Sequence, residues 1–202
     1  MRRRVVAVFA LLLIVSLASP AVATTPPGSL PQTNVEPSFG ALLTQSMRQL
    51  VVAIADNSAP LALREFFPEG AYQQMKTGAI PYPASDYKGR LVALFRLDVA
   101  AYHAKLFGAQ NATFLRVDAN AHLAQWIPIG GCENKIGYWH VPGVRLVFQR
   151  GHQVVSVAVE SLISWRGVWY VVHLGPNPRP TNVGTLGNYR VGPGTPGPAG
   201  GC

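Results

Sequence analysis

The stretch QVVSVAVESLISWRGVWYVVHLG, residues 153–175, decides the fold. It holds two runs of β-branched and aromatic residues, 153–165 and 168–174, which are separated by Arg166-Gly167. Two strands joined by two residues, the second of them glycine, are typical of a β-hairpin, because glycine tolerates a positive φ. The sequence therefore predicts an antiparallel hairpin. The side chains expected to pack toward a helix are Ile163, Trp165, Tyr170 and Val172.

Upstream of the hairpin the sequence predicts further strands. Between residues 115 and 123 every second residue is apolar, which indicates a strand with one core face. Asn120 interrupts this pattern and is expected to mark a bulge. A loop is predicted over 128–143, followed by a strand over 144–149 that leads into the turn before residue 153.

Helices are predicted ahead of the strands. Residues 41–56 carry apolar side chains at i, i+4, i+7, i+8 and i+11, the spacing of one helix face. Ser58 is expected to cap a short second helix that ends near Phe67. The longest helix is predicted over residues 85–108. Its apolar stripe consists of Leu91, Leu94, Phe95, Val99, Tyr102 and Leu106.

Helices followed by a meander of antiparallel strands are typical of the α+β class. We expect a strongly bent antiparallel sheet around the long helix, because the apolar stripe of that helix needs a sheet face to cover it. This single domain is predicted over residues 41–175. The flanks are a Pro-rich linker at 24–40 and a Gly/Pro-rich tail at 176–202. Both are predicted to be disordered, because they lack apolar periodicity.

The N-terminus is typical of a secretory signal peptide, residues 1–23. Three arginines precede an apolar run, 5–17, and Ala21-Val22-Ala23 offers a cleavage site. The run is shorter than the roughly 20 residues of a membrane span, so no stable membrane anchor is expected after cleavage. We expect the mature protein to be secreted or associated with the cell wall.

The formal net charge of the chain is +8, and the three arginines of the signal peptide contribute three of these charges. The remaining basic residues are dispersed along the chain, without a run of Lys and Arg or interleaved aromatic residues. Such a distribution does not favour nucleic acid as a partner.

The two cysteines are Cys132, in the predicted loop, and Cys202, the last residue. In an oxidising compartment an even pair predicts a disulfide between them. An intermolecular disulfide, a small-thiol adduct and two unpaired thiols are the alternatives. No CxxC or HxxxH spacing accompanies either cysteine, so no metal site is expected.

The order of helices and strands over residues 40–175 resembles the NTF2-like (cystatin-like cone) superfamily. A narrower resemblance rests on GYWHVPG (137–143) followed by ISWRGVWYVVHLG (163–175). These motifs are similar to a family of exported actinobacterial proteins with no assigned activity. The first resemblance implies a pocket between a bent sheet and the helices, and the second implies export. Neither supplies catalytic residues.

Enzymes of the NTF2-like superfamily place an Asp, His or Tyr in the cone. By analogy, Asp98, His140, Glu160 and His173 are candidate pocket residues. Trp126 is a candidate for an aromatic lining. Each also has a simpler explanation: a carboxylate that faces water, or an aromatic or imidazole ring packed in the core.

The sequence contains no GxSxG, HExxH, phosphate-binding glycine loop or EF-hand, so no catalytic residues and no cofactor are assigned. We expect a non-enzymatic binding module for a small apolar ligand, a cell-envelope component or an exported partner. The alternative is a small enzyme in the cone, of the isomerase, dehydratase or hydrolase type. An enclosed pocket with two polar groups of opposed pKa shifts would favour the enzyme.

Overall fold

The computed structural model describes residues 30–108 and 112–197. The predicted signal peptide and Cys202 lie outside these ranges. Export and the Cys132–Cys202 disulfide therefore stay predictions.

In the described part of the chain, three helices precede the long one. α1 (Ala41–Ala55) confirms the first predicted helix, and all five residues of its apolar stripe are buried. α2 (Ala59–Ala62) is shorter than predicted, although Ser58 caps it as expected by accepting a hydrogen bond from the Leu61 amide. α3 (Glu69–Met75) follows after residues 63–68 and buries Tyr72 and Met75.

The long helix is continuous over residues 83–108. It comprises α4 (Pro83–Asp86), a π-helical turn (Tyr87–Val92), α5 (Ala93–His103) and a second π-helical turn (Ala104–Gly108). The residues at the three junctions all have right-handed helical dihedral angles. The predicted apolar stripe is buried throughout, and all of it except Leu94 belongs to one core cluster with residues of α1 and the sheet.

Among residues 30–108 and 112–197, six strands form one antiparallel sheet, which confirms the α+β class. The central pair is β3 (Tyr138–Arg150) and β4 (Gln153–Trp165). One edge of β3 pairs with β1 (Thr113–Asp118) and with β2 (Gln125–Ile127). The outer edge of β4 pairs with β5 (Val168–His173) along its second half and with β6 (Gly187–Val191) along its first.

The predicted hairpin is present as β4 and β5. Arg166 and Gly167 have φ values of 51° and 82°, as expected for a two-residue turn with two positive φ angles. Both faces of the hairpin are covered, because Trp169 and Val171 are buried as well as Ile163 and Trp165. The covering of the second face includes residues before α1: the Trp169 indole donates to the Pro37 carbonyl (3.1 Å) and its ring lies 5.1 Å from that of Phe39.

Three strand predictions are wrong in detail. The strand predicted over 144–149 begins six residues earlier, at Tyr138, because Pro142 and Gly143 lie within β3 rather than in a loop. The strand predicted over 115–123 ends at Asp118, and Asn120 caps a 3₁₀ turn instead of forming a bulge. A register shift after Phe114 leaves Leu115 42% exposed, and Phe114 packs on the core instead.

The predicted disorder of both flanks is wrong for the described residues. Residues 30–40 lie against the sheet, where Gln32 bonds the Gly137 carbonyl and the Arg166 amide. The C-terminal segment, residues 175–197, contains β6 and follows the sheet as far as Gly197. Long-range hydrogen bonds hold both segments, and composition alone gives no sign of such bonds.

Candidate functional site

A cavity of about 620 Å³ lies between the sheet and the helices. We call it the central cavity. β3, β4 and β5 form one wall; α3 and the first π-helical turn form the other. The loop 127–134 and residues 176–178 complete the lining. Its apolar lining includes Phe67, Met75, Leu91, Ile127, Ile163 and Val172. Its polar lining includes Lys76, Asn134, His140, Glu160, Ser161 and His173.

The register of β3 and β4 brings His140 to Ser161. Ile163 is opposite His140 and Pro142 is opposite Ser161, so the two polar residues are diagonal neighbours on one face. The His140 Nε2 and Ser161 Oγ atoms are 2.8 Å apart. The His140 Nδ1 atom is buried and has no hydrogen-bond partner in the described chain. Burial lowers the pKa of His140, so this imidazole is neutral at pH 7.

His173 on β5 is opposite Ser161 and lines the same cavity. Burial, and then the positive charges of Arg90 and Arg179, with smaller contributions from His140 and Lys76, lower the pKa of His173 to about 4. The central cavity therefore contains two neutral imidazoles. A neutral imidazole offers a ligand both a hydrogen-bond donor and an acceptor.

Glu160 and its neighbour Ser161 both line the central cavity. Consecutive residues of a regular strand point to opposite faces. The pairing of β4 with β5 shifts register between Ser161 and Leu162, and such irregularities redirect side chains. Burial raises the pKa of Glu160, and the charge of Arg145 partly opposes this change.

The helical wall carries a hydrogen-bond network that fixes its polar side chains. Arg90, in the first π-helical turn, donates to both carboxylate oxygens of Asp86, at 2.7 and 2.6 Å, and to the Tyr72 hydroxyl. Tyr72 in turn donates to Asp86. Lys76 donates to the Cys132 carbonyl (3.1 Å), and its ammonium lies 5.1 Å from the centre of the Tyr72 ring.

Asn134 provides a second buried polar atom without a partner. Its side chain is 4% exposed and lines the central cavity. The Asn134 Oδ1 atom has no hydrogen-bond partner among the described residues. A buried carbonyl or imidazole nitrogen without a partner costs about 1–3 kcal/mol. Both residues line the central cavity, and no described residue completes these two hydrogen bonds, although the Asn134 side chain also bonds Tyr138.

The structure thus brings three of the five predicted pocket residues together: His140, Glu160 and His173. The other two lie elsewhere. Trp126, on β2, packs edge-on against Trp139 outside the cavity lining, with ring centres 6.0 Å apart. Asp98, in α5, is 1% exposed and binds the C-terminal segment. Asn134 and the His140–Ser161 pair were not predicted as site residues, because the burial of Asn134 depends on the path of its loop and the pair depends on the strand register.

Asp98 holds both ends of the loop between Gly175 and Thr185. Its carboxylate accepts hydrogen bonds from the amides of Gly175 (3.0 Å) and Thr185 (2.9 Å) and from the Arg179 guanidinium. Arg179 is 5% exposed, so the ion pair is buried. The loop it holds carries residues 176–178 of the cavity lining. Asp98 is therefore neither solvated nor a pocket residue.

Cys132 lines the central cavity. Gly197, the last described residue, donates to the carbonyl of Gly143 on β3 (3.2 Å). Cys202 lies outside the described residues, so the Cys132–Cys202 disulfide stays a prediction.

Within residues 30–108 and 112–197, no three His, Cys, Asp or Glu side chains are grouped as a metal site would require. No helix in the same ranges has the length and apolar character needed to cross a membrane. Comparison of the chain with protein-family models, curated proteins and solved structures found no match.

Proposed function

We propose that this protein is an exported binding protein whose central cavity holds a small molecule with an apolar body and a polar end. The observation that carries the proposal is the pairing of a cavity with two unpartnered buried atoms, His140 Nδ1 and Asn134 Oδ1. A volume of about 620 Å³ is within the range of small-molecule sites.

The lining favours an amphiphilic ligand over a purely apolar one. Apolar side chains from both walls surround the body of the ligand, and the neutral imidazoles of His140 and His173 meet its polar end. Uncharged donors and acceptors suit a hydroxyl, carbonyl or amide group, because they bind it without bringing a full charge out of water.

We further propose that the fold is an NTF2-like cone. Its support is the position of the cavity between the long helix and the sheet, together with helices at 41–108 that precede the strands at 113–191. Export rests on the composition of residues 1–23.

Native mass spectrometry of the protein, purified from the organism that produces it, tests the binding role. We expect a retained small molecule that organic extraction releases. Val172→Trp fills the central cavity and is expected to abolish retention. The control is Val183→Trp, which adds the same volume at a residue that is 51% exposed. Equal retention by both variants, or none by the wild type, would refute the proposal.

The second candidate function is an enzyme, and the His140–Ser161 hydrogen bond favours it. A serine bonded to an imidazole is the first half of a nucleophilic site. The second half, a group that orients the base, is not found among the described residues, because His140 Nδ1 has no partner there. A pKa of about 4 also makes His173 a weak base at neutral pH. These two features favour binding.

A fluorophosphonate probe separates the two candidates. We expect no labelling of the exported protein. Labelling that Ser161→Ala abolishes and Ser164→Ala leaves intact would establish a nucleophilic serine. Ser164 is the matched control, because it is also buried on β4 but accepts its hydrogen bond from the Trp139 amide.

A further inference from the structure

Arg145 on β3 is the largest fully buried side chain of the described chain. Its guanidinium donates to the Asn188 carbonyl and to the Ser156 hydroxyl, both at 2.6 Å. Its Nε atom has no hydrogen-bond partner in the described residues. None of the ion pairs found in residues 30–108 and 112–197 involves Arg145. A fully buried arginine without a paired anion is rare in proteins.

Glu160 is the carboxylate that acts on Arg145, and it does so without direct contact. Burial lowers the pKa of Arg145; Tyr102 opposes this change, the charge of Arg190 adds to it, and the charge of Glu160 opposes it least. Burial also raises the pKa of Glu160 itself, which weakens it as a counterion. The described chain therefore leaves the positive charge of Arg145 without close compensation.

Beside Arg145 lies a second cavity, of about 270 Å³, lined by Asn188, Arg190, Val191, Gly194 and Thr195. Arg190, exposed on β6, is opposite Ser156, the residue that Arg145 bonds. Two guanidinium groups therefore meet at one small cavity. A cleft lined by charges of one sign raises the local concentration of ions of the opposite sign.

Gly194 gives a reason for the shape of this cavity. Its φ is +64°, and a Cβ atom at this position would lie 2.9 Å from the Nε and from one terminal nitrogen of Arg145. Because Gly194 has no side chain, the turn after β6 can pass close to the Arg145 guanidinium without filling the cavity beside it. The volume is ample for a tetrahedral oxyanion and several waters, each of which occupies about 30 Å³ in the liquid.

We propose that the Arg145–Arg190 cavity binds a tetrahedral oxyanion, either free phosphate or the phosphate group of a small monoester. Arg190 contacts the anion from the solvent side, and the buried positive charge of Arg145 attracts it from the inner end of the cavity. Guanidinium groups bind phosphate through paired, charge-assisted hydrogen bonds. This site is separate from the central cavity and does not depend on the function proposed for it.

The test is a phosphate titration of the mature protein, 24–202, at constant ionic strength, followed by the amide NMR signals of residues 188–195. We expect saturable shifts, and an affinity at least about tenfold weaker in Arg190→Gln, because one charge-assisted contact is lost. Arg96→Gln is the control: it removes an equal charge from an exposed residue of α5. It is expected to bind as the wild type does.

Two further measurements define the ligand and guard against misfolding. Titration with glycerol 3-phosphate identifies the source: tighter binding than inorganic phosphate indicates a monoester ligand, and weaker binding indicates the free ion. Arg190 is exposed, so its variant is expected to keep the wild-type spectrum outside 188–195. The proposal is overturned if neither phosphate gives saturable shifts, or if Arg190→Gln and Arg96→Gln bind phosphate equally.

Discussion

Asp98 and His140 are both buried polar residues, yet their surroundings differ in one respect. The Asp98 carboxylate accepts two amide hydrogen bonds and an arginine ion pair, all from the C-terminal segment. His140 has one partner, Ser161, and leaves its second ring nitrogen unpaired at the central cavity. A buried polar group whose bonds are complete stabilises the fold. One whose bonds are incomplete marks the place where another molecule can complete them.

The largest effect should follow from Asp98→Ala. Removing the carboxylate leaves Arg179 as a buried unpaired charge and leaves two amides without acceptors. We expect a loss of about 3–5 kcal/mol in the free energy of unfolding, measured by urea denaturation. Asp118→Ala is the control, since Asp118 also pairs with an arginine, at 2.8 Å, but at the surface. It should cost less than about 1 kcal/mol. Equal losses in the two variants would show that the hydrogen bonds of Asp98 stabilise the fold no more than a surface ion pair does.

Truncation of an apolar hairpin residue gives a loss in the free energy of unfolding with which the loss in Asp98→Ala can be compared. Trp165 is 7% exposed and packs edge-on against Phe67, with ring centres 6.2 Å apart. Trp165→Ala should cost about 3 kcal/mol, because truncation empties a large buried volume. Trp126→Ala, at a half-buried position on β2, should cost clearly less. The same urea denaturation series measures both, and a reversed order would mean that the hairpin is not the packed part of the sheet.

The neutral imidazole of His173 predicts a pH dependence. The folded-state pKa of His173 is lowered to about 4, whereas that of the unfolded chain is about 6.5. The unfolded state therefore takes up a proton first as pH falls, so stability is lost between pH 6.5 and 4. From pH 7 to pH 5 this amounts to about 2 kcal/mol.

The variant His173→Gln should remove this loss, and the exposed His152→Gln should retain it. Urea denaturation of both variants at pH 7 and pH 5 provides the measurement. Should His173→Gln lose as much stability as the wild type, His173 would be able to take up a proton in the folded state. It would then not be the buried neutral group described here.

The smallest effect on stability is expected where polar bonds are incomplete. The double variant His140→Phe with Ser161→Ala replaces both partners of one hydrogen bond by apolar groups. It should change the free energy of unfolding by less than about 1 kcal/mol. The same variant should lose the ligand of the central cavity. A large loss of stability together with unchanged ligand retention would show that His140 belongs to the fold alone.

The sequence predicted the parts of the fold that repeat locally. α1, the long helix and the β4–β5 hairpin each bury a periodic apolar face, and this periodicity is visible in the residues themselves. β6 was missed because Gly187–Val191 lies in a Gly/Pro-rich segment, and its order depends on Arg145 and Asp98, which are more than 40 residues away in the chain. Composition does not record such contacts.

Only part of the candidate site could be predicted, because the rest depends on contacts between residues far apart in the chain. His140, Glu160 and His173 were named as polar residues near a sheet face, and the strand register brings them to one cavity. Asp98 was misassigned, because its partners belong to a segment that was expected to be disordered. Asn134 was not singled out, because its burial depends on the path of the loop next to α3. Two hydrogen bonds fix that path: the Thr77 amide donates to the Glu133 carbonyl, and the Lys135 amide donates to the Met75 carbonyl.

The central claim is that the unpaired nitrogen of His140 marks the binding site. The most direct measurement is the side-chain ¹⁵N spectrum of His140 in protein from the producing organism, before and after organic extraction. We predict that the Nδ1 signal moves on extraction and returns when the extract is added back, while the carboxyl ¹³C signal of Asp98 stays in place. A retained molecule whose removal leaves the His140 Nδ1 signal unchanged would contradict the account.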